Sequence, residues 1–345
     1  MTFSDRAVLY LNTQYKEIAS MKNSPALGID LGGTKIYAVV TDSKHNIIGE
    51  AKAETDYAAG PEKIVSDIIA LGVTVLEPLG LTLEDVPHIG VAIPSPVDPL
   101  TGDCYHATNL GWKNASLKDF FFHKLNREVY LGNDGNLGVL AEYYCGAAQG
   151  FSTVAGYCVG TGLGGGIMIN GKLHAGNSGL AGEFGHVIVK QGGRRCACGH
   201  KGCAEAYCSK VAFVKAIKKS VFQQGVKTCL SPDKFNKNSR NIKSKHLAKA
   251  YRADDPAVVA AVNKGAYMLG VAAAGVASVL APDCFILGGG VIESMGNEIL
   301  PVFRNSFNEH LFGLDPAKIQ IRFSALGDTA VALGATILAR KKGEV

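Results

Sequence analysis

The chain has 345 residues, 47% of them apolar and 19% charged, with a formal net charge of only +5. That composition can bury a large core, allows two domains of ordinary size and excludes a disordered chain. The one basic cluster, Lys234 to Lys249, lacks interleaved aromatics at stacking spacing, so it reads as a solvated loop or helix face and no nucleic-acid partner is expected.

Residues 1–24 read as a helical extension, because Val8, Leu9, Leu11 and Ile18 fall roughly on one helical face. With Asp5 and a short apolar run from Ala7 to Leu11, this segment is too acidic and too short for a secretory signal. An N-terminal α/β lobe is expected over residues 25–134, beginning with Ala26 to Asp42 as strand, Gly-rich turn and strand. A second turn at Ser43 to Asn46 precedes Ile47 and Ile48. Helix-period text runs from Pro61 to about Leu79, a buried strand spans Ile89 to Ile93, and Val129 to Asp134 leads into a helix over about Asn136 to Tyr144. A larger C-terminal α/β lobe is expected over residues 135–345. There Ala155 to Gly171 repeats the strand, Gly turn, strand and turn, which points to two similar halves. The rest reads as mostly helical apart from the strand Cys284 to Leu287 and its triple-Gly turn. The apolar run Leu269 to Ala281 falls short of the roughly 20 residues a bilayer requires, so it reads as a buried helix and no membrane partner is expected. Ala335 to Arg340 reads as a helix that returns to the first lobe.

Asp30-Leu31-Gly32-Gly33-Thr34-Lys35 sits at the first turn. Glycines let backbone N–H groups approach phosphate oxygens, Thr34 adds a hydroxyl, Lys35 adds charge, and Asp30 suits a hydrated Mg²⁺. Gly28 and Gly33 have P-loop spacing, but Thr34-Lys35 reverses the required order and β-type sequence follows. Gly160-x-Gly162-x-x-Gly165 matches a dinucleotide fingerprint, yet it too runs into a strand. Gly160, Thr161, Gly162 and Gly164 therefore read as a second phosphate hairpin. Gly288, Gly289 and Gly290 read as a turn that lets an adenine or ribose lie close to backbone. The three features together point to ATP.

Asn133-Asp134 follows a strand and precedes a helix. Phosphoryl transfer to a hydroxyl needs an acceptor for the attacking proton, and Asp134 is the candidate base, with a simple helix-capping role as the alternative. Asn109, Glu183, His186 and Glu205 are the residue types that bind sugar hydroxyls, although they are spread over nearly a hundred residues.

The nine cysteines are odd in number, and Cys196, Cys198 and Cys203 crowd into eight residues. This argues against a secreted disulfide scaffold and for a reducing, cytoplasmic compartment. Three thiolates in a Gly-containing knuckle suit tetrahedral Zn²⁺. His186 is the preferred fourth ligand, since His200 occupies the knuckle's turn. Free reduced cysteines or a redox pair are the alternative.

These residues resemble the ROK family (repressors, uncharacterised reading frames and sugar kinases) from about Ala26 to Ala339. The specific parts are Asp30 to Lys35, Asn133-Asp134-Gly135-Asn136, Gly160 to Gly166, Glu183-Phe184-Gly185-His186, and Cys196-x-Cys198-Gly199-x-x-Gly202-Cys203-x-Glu205. The resemblance implies a two-lobed, actin-like ATPase fold of the hexokinase type, related to ribonuclease H, with ATP and sugar in the interlobe cleft. It implies Asp134 as catalytic base, Asn109, Asn133, Glu183, His186 and Glu205 as sugar ligands, and His186, Cys196, Cys198 and Cys203 as zinc ligands. It also implies a homodimer. Two departures stand out on the sugar side. Ser95 replaces a glycine in Pro94-Ser95-Pro96-Val97-Asp98, adding a hydroxyl near the expected sugar, and Asn109-Leu110-Gly111-Trp112 is one residue shorter than the family's pattern. The expected function is an ATP-dependent hexose kinase acting on glucose, with N-acetylmannosamine, N-acetylglucosamine or fructose as alternatives. A repressor of the same family needs a helix-turn-helix module, and only about 25 residues precede Ala26, so that role is disfavoured, as is a sensor or scaffold that has lost catalysis.

Overall fold

Ala26–Leu31 (β1), which alternates small and branched residues, and the β-branched-rich Lys35–Thr41 (β2) form an antiparallel hairpin, which Ile47–Glu54 (β3) extends at the edge. The computed structural model describes residues 24–98, 101–104, 112, 115–239 and 242–345. Apart from Ser24, the expected N-terminal extension lies outside the described residues, and so does Asn109. The described chain divides into two compact units. The first takes its residues from 1–141, 176–180 and 329–345, the second from 142–175 and 181–328.

In the first unit, helix α1 (Pro61–Leu76) starts with proline in its first turn, where no intrahelical N–H is lost. It buries Ile64, Val65, Ile68 and Val75 beneath the hairpin. Strand β4 (His88–Ile93) pairs parallel with β1. A short pair, β5 (Asp103–Cys104) and β6 (Ala115–Ser116), leads into helix α2 (Leu117–Leu125), and β7 (Tyr130–Asn133) then pairs parallel with β4. The sheet order is β3-β2-β1-β4-β7. Leu27, Ile29 and Leu31 are at most 1% exposed, each contributing about 2 kcal/mol of apolar burial. Helix α3 (Asp134–Cys145) begins directly after β7.

The second unit repeats the plan. Thr153–Val159 (β8) and Leu163–Ile169 (β9) form an antiparallel hairpin extended by Lys172–Leu173 (β10). Then come helices α4 (Glu205–Cys208), α5 (Lys210–Gln224), α6 (Ser244–Arg252) and α7 (Pro256–Leu280). Strand β11 (Cys284–Gly288) pairs parallel with β8, helix α8 (Gly290–His310) follows, and β12 (Gln320–Phe323) pairs parallel with β11. The order β10-β9-β8-β11-β12 has the same pattern of antiparallel and parallel neighbours as the first sheet. The repeat read from the two Gly-rich hairpins is thus a repeat of whole sheets.

Within the part that reads as mostly helical, Gln320–Phe323 is an edge strand whose burial alternates along Gln-Ile-Arg-Phe. Four residues are too few for that period to outweigh the surrounding helical text. The triple glycine Gly288 to Gly290 is also not a free-standing turn. Gly288 ends the strand, Gly289 takes φ 88°, and Gly290 opens α8. A left-handed residue between a strand and a helix favours glycine.

Helix α7 is long and apolar enough to cross a membrane by length and composition, but 67% of its most apolar window is buried in the core of the second unit. The C-terminal helix α9 (Ala330–Arg340) belongs to the first unit and lays Ala332 and Thr336 on Gly28 of β1 and Ala335 on Gly90 of β4. Arg340 fixes its end by donating to the carbonyls of Ser24 and Asp42, each at 2.6 Å.

Candidate functional site

Each unit presents one glycine hairpin. In the first, the Gly32 N–H closes the turn onto the Lys35 carbonyl at 2.9 Å. Thr55 on the neighbouring segment donates its hydroxyl to the Gly32 carbonyl at 3.0 Å and its N–H to the Thr34 carbonyl at 3.2 Å. The turn's carbonyls are therefore drawn toward Thr55, while Gly33, Thr34 and Lys35 are exposed. Asp30 stands half-buried near the end of β1. Strand follows the turn, as the rejection of a P-loop requires.

The second hairpin is held from outside its own sheet. The Gly160 N–H donates to the Gly162 carbonyl at 3.0 Å. The carbonyls of Gly160 and Thr161 accept from the N–H groups of Lys210 and Val211 at 3.0 and 3.5 Å. The Leu163 N–H donates to Glu205 Oε2 at 3.1 Å. Thr161 is exposed, while Gly162 and Gly164 are half-buried. Gly288 to Gly290 lie in the same unit, at the end of β11, the parallel neighbour of β8.

The junction of β7 and α3 resolves which residue caps the helix. Asn133 Oδ1 accepts the Asn136 N–H at 3.1 Å, so asparagine satisfies the exposed amide of the first turn. Asp134 Oδ1 accepts from the adjacent Gly135 N–H at 2.7 Å. Asn133 Nδ2 also donates to the Ser95 carbonyl at 3.3 Å, and the Ser95 hydroxyl donates to the Pro96 carbonyl at 3.3 Å. Ser95 is 3% exposed. The serine that departs from the family pattern is thus packed beneath Asn133, within the same unit.

In the second unit the 3₁₀ turn Phe184–His186 buries Phe184 and leaves His186 exposed. His186 Nδ1 lies 3.9 Å from Cys196 Sγ, and Nε2 lies 3.8 Å from Glu183 Oε2. The imidazole therefore has one nitrogen toward the cysteines and one toward a carboxylate. Burial raises the Glu183 carboxyl above its ordinary value; nearby Glu205 adds to this and His186 opposes it.

The knuckle brings His186, Cys196, Cys198 and Cys203 together, with one ligand atom from each within 4.8 Å of the others. Cys198 Sγ and Cys203 Sγ are 3.7 Å apart. Two sulfurs bound tetrahedrally to Zn²⁺ at about 2.3 Å would be separated by about 3.8 Å, so the donor set fits that ion. Burial opposes charge on all three thiols and raises Cys196 to about 12. At Cys198 burial is outweighed by the backbone N–H and imidazole of His200 and by the neighbouring thiols, which hold it near 6. His200 Nδ1 contacts Cys198 Sγ at 3.6 Å but lies outside the four-atom cluster. Among the described residues eight cysteines are free, including these three.

One acidic residue of this region belongs to no motif. Glu142, 2% exposed near the end of α3, accepts from the N–H groups of Ala147, Ala325 and Leu326 and from the Ser324 hydroxyl, at 2.6 to 3.0 Å. It ties the segment after β12 to the end of the helix that Asp134 begins. Its partners lie up to 184 residues away, so no local pattern marks it.

A family model, the ROK family, matches residues 26–342. A glucokinase of Streptomyces coelicolor is 33% identical over 317 residues, covering 91% of this chain and 97% of that protein. A xylose repressor of Caldicellulosiruptor bescii is 29% identical, covering 89% of this chain and 76% of the repressor. Among solved structures, a ROK family glucokinase from Streptomyces griseus in complex with glucose and AMPPNP superposes with a TM-score of 0.79 at 34% identity. It covers 92% of this chain and 100% of that one. The repeated sheets and these neighbours give the chain the actin-like ATPase fold. With the family model and relatives running over nearly its whole length, the chain belongs to the ROK family.

Proposed function

We propose that this protein is a cytoplasmic sugar kinase that transfers the γ-phosphoryl group of ATP to a hexose hydroxyl, with glucose as substrate. The observation that carries the reading is the duplicated glycine hairpin, one per unit, each with a tip of exposed or half-exposed residues. A single such turn serves many purposes, but the pair suits a polyphosphate. The ROK glucokinase structure with glucose and AMPPNP supports the same substrates.

In this reading the carboxylate of Asp134 accepts the proton of the attacking sugar hydroxyl. The oxygen forms its bond to the γ-phosphorus as the bond to ADP breaks. Because Asn133 caps α3, Asp134 is not needed for that role. Asp30 would hold Mg²⁺ through water, and that ion would neutralise phosphate charge. Gly32, Gly33, Thr34, Lys35, Gly160, Thr161, Gly162 and Gly164 would line the phosphates, and Gly288 to Gly290 would lie against the nucleoside. Asn133, Glu183, His186 and Glu205 would hold the sugar hydroxyls, with Asn109 and Ser95 on the same side. His186, Cys196, Cys198 and Cys203 would hold zinc in a structural role, since four protein ligands close the coordination sphere.

The test is a coupled ADP-release assay with glucose, N-acetylmannosamine, N-acetylglucosamine, mannose and fructose. Glucose should give the highest kcat/KM. A higher value for either acetamido sugar would reassign the substrate, and ADP release that ignores every sugar would remove the kinase reading. The repressor relatives favour a second reading, a sugar-responsive regulator, which predicts sugar binding without ADP release.

A further inference from the structure

We infer that Glu205 is a positioning residue that couples the Cys/His cluster to the second glycine hairpin, so that the metal-binding segment governs the phosphate turn as well as the sugar pocket. This deepens the kinase reading and rests on it for the hairpin's role. The two oxygens of the carboxylate point to different places. Oε1 lies 3.5 Å from Cys196 Sγ, within the knuckle, and Oε2 accepts the Leu163 N–H at 3.1 Å, at the first residue of β9. A Cβ on Gly162 would sit 2.6 Å from Oε2, so the glycine there makes room for the carboxylate.

The chain after the knuckle grips the other side of the turn. Cys203 is followed two residues later by Glu205, whose carbonyl accepts the Ser209 N–H at 3.3 Å. The next two amides, of Lys210 and Val211, hold the Gly160 and Thr161 carbonyls. Both flanks of the hairpin therefore hang on one short segment whose start is fixed at Cys203. A carboxylate accepting a backbone N–H is a charge-assisted bond, about twice as strong as a neutral one. Backbone amides serve a phosphate only when their directions are fixed before it arrives. Loosening the knuckle should therefore loosen the hairpin.

Hydrogen–deuterium exchange on the zinc-loaded protein reads this directly. In Glu205→Ala the Leu163 amide should exchange at least about tenfold faster, the loss of one charged hydrogen bond. In Glu205→Gln protection should persist, because the amide oxygen still accepts. Chelating zinc from the wild type should accelerate exchange over residues 160–166 and leave the Gly32–Lys35 hairpin of the other unit unchanged. This arm serves even if the alanine variant fails to fold. Unchanged Leu163 exchange in Glu205→Ala, or equal loss in both variants, overturns the coupling. Binding of Mg–AMPPNP without sugar is the second readout: Kd should rise about tenfold in Glu205→Ala and recover in Glu205→Gln. A wild-type protein that binds no nucleotide would refute the kinase reading, while the exchange data would still decide the coupling.

Discussion

Replacing Asp134 by asparagine separates chemistry from architecture at the β7–α3 junction. Asn133 provides the helix cap at 3.1 Å, and the Gly135 N–H needs only an acceptor, which an asparagine oxygen supplies. The negative charge lost from the helix N-terminus costs about 0.3–1 kcal/mol. A positioned general base contributes about 10²- to 10⁴-fold, or about 3–5.5 kcal/mol of barrier at 1.36 kcal/mol per decade. The variant should keep its melting temperature to within a few degrees and bind sugar as the wild type does, while kcat falls by at least about a hundredfold. Steady-state kinetics with thermal denaturation and sugar titration on the same preparation give all three values. A kcat within tenfold of wild type would refute the base assignment. A loss of activity matched by a large loss of stability would show that Asp134 serves the helix instead.

Glu142→Ala should be among the most damaging substitutions outside the substrate site. It leaves three backbone N–H groups and the Ser324 hydroxyl without their buried acceptor, at about 1–3 kcal/mol each and not additively. A loss of about 4 kcal/mol and a drop of roughly 10 °C in thermal unfolding are expected, and an unchanged melting temperature would show that the segment 324–326 does not depend on it. Asp255 caps α7 through Ala257 and Val258 and also accepts from Thr228 and Cys229. Burial would raise its pKa, but the hydrogen bonds from Thr228, Val258 and Cys229 outweigh it and the net shift is downward. Its stabilisation is therefore fully present above the unfolded value near 3.9 and is lost as pH falls through the lower folded value. Urea unfolding of Asp255→Ala should show a deficit of about 2 kcal/mol that is flat between pH 6 and 8 and shrinks below about pH 4; a deficit that grows on acidification would contradict the sign. Cys198→Ser should lower the bound zinc from about one per chain and raise KM for sugar. Retention of both metal and KM would detach the knuckle from the pocket.

The parts of the fold that could be read from sequence are those written in local text. Both hairpins show as a β-run, a glycine turn and a second β-run, and the β7–α3 junction shows as Val129 to Asp134 followed by helical spacing. The knuckle declares itself because three cysteines and two glycines fall within eight residues. What escaped depends on distance or on strand length. Strand β12 is four residues at a sheet edge. The cap at α3 could be assigned to Asn133 or Asp134 from the letters alone, and only the bond to Asn136 decides it. Glu205 is readable from sequence as a candidate sugar ligand beside the knuckle. Its hold on Leu163, 42 residues earlier, is not. Glu142 likewise looks like an ordinary helical surface glutamate until the chain brings Ser324 to Leu326 against it.

The activity proposed for the chain is phosphorylation of a hexose at the expense of ATP. Incubation of the purified protein with Mg–ATP and glucose, followed by ³¹P NMR, tests it most directly. A new phosphomonoester signal from glucose 6-phosphate is expected, appearing in step with ADP and dependent on the sugar. ADP that forms at the same rate without sugar, or glucose that binds with no phosphomonoester formed, would contradict it.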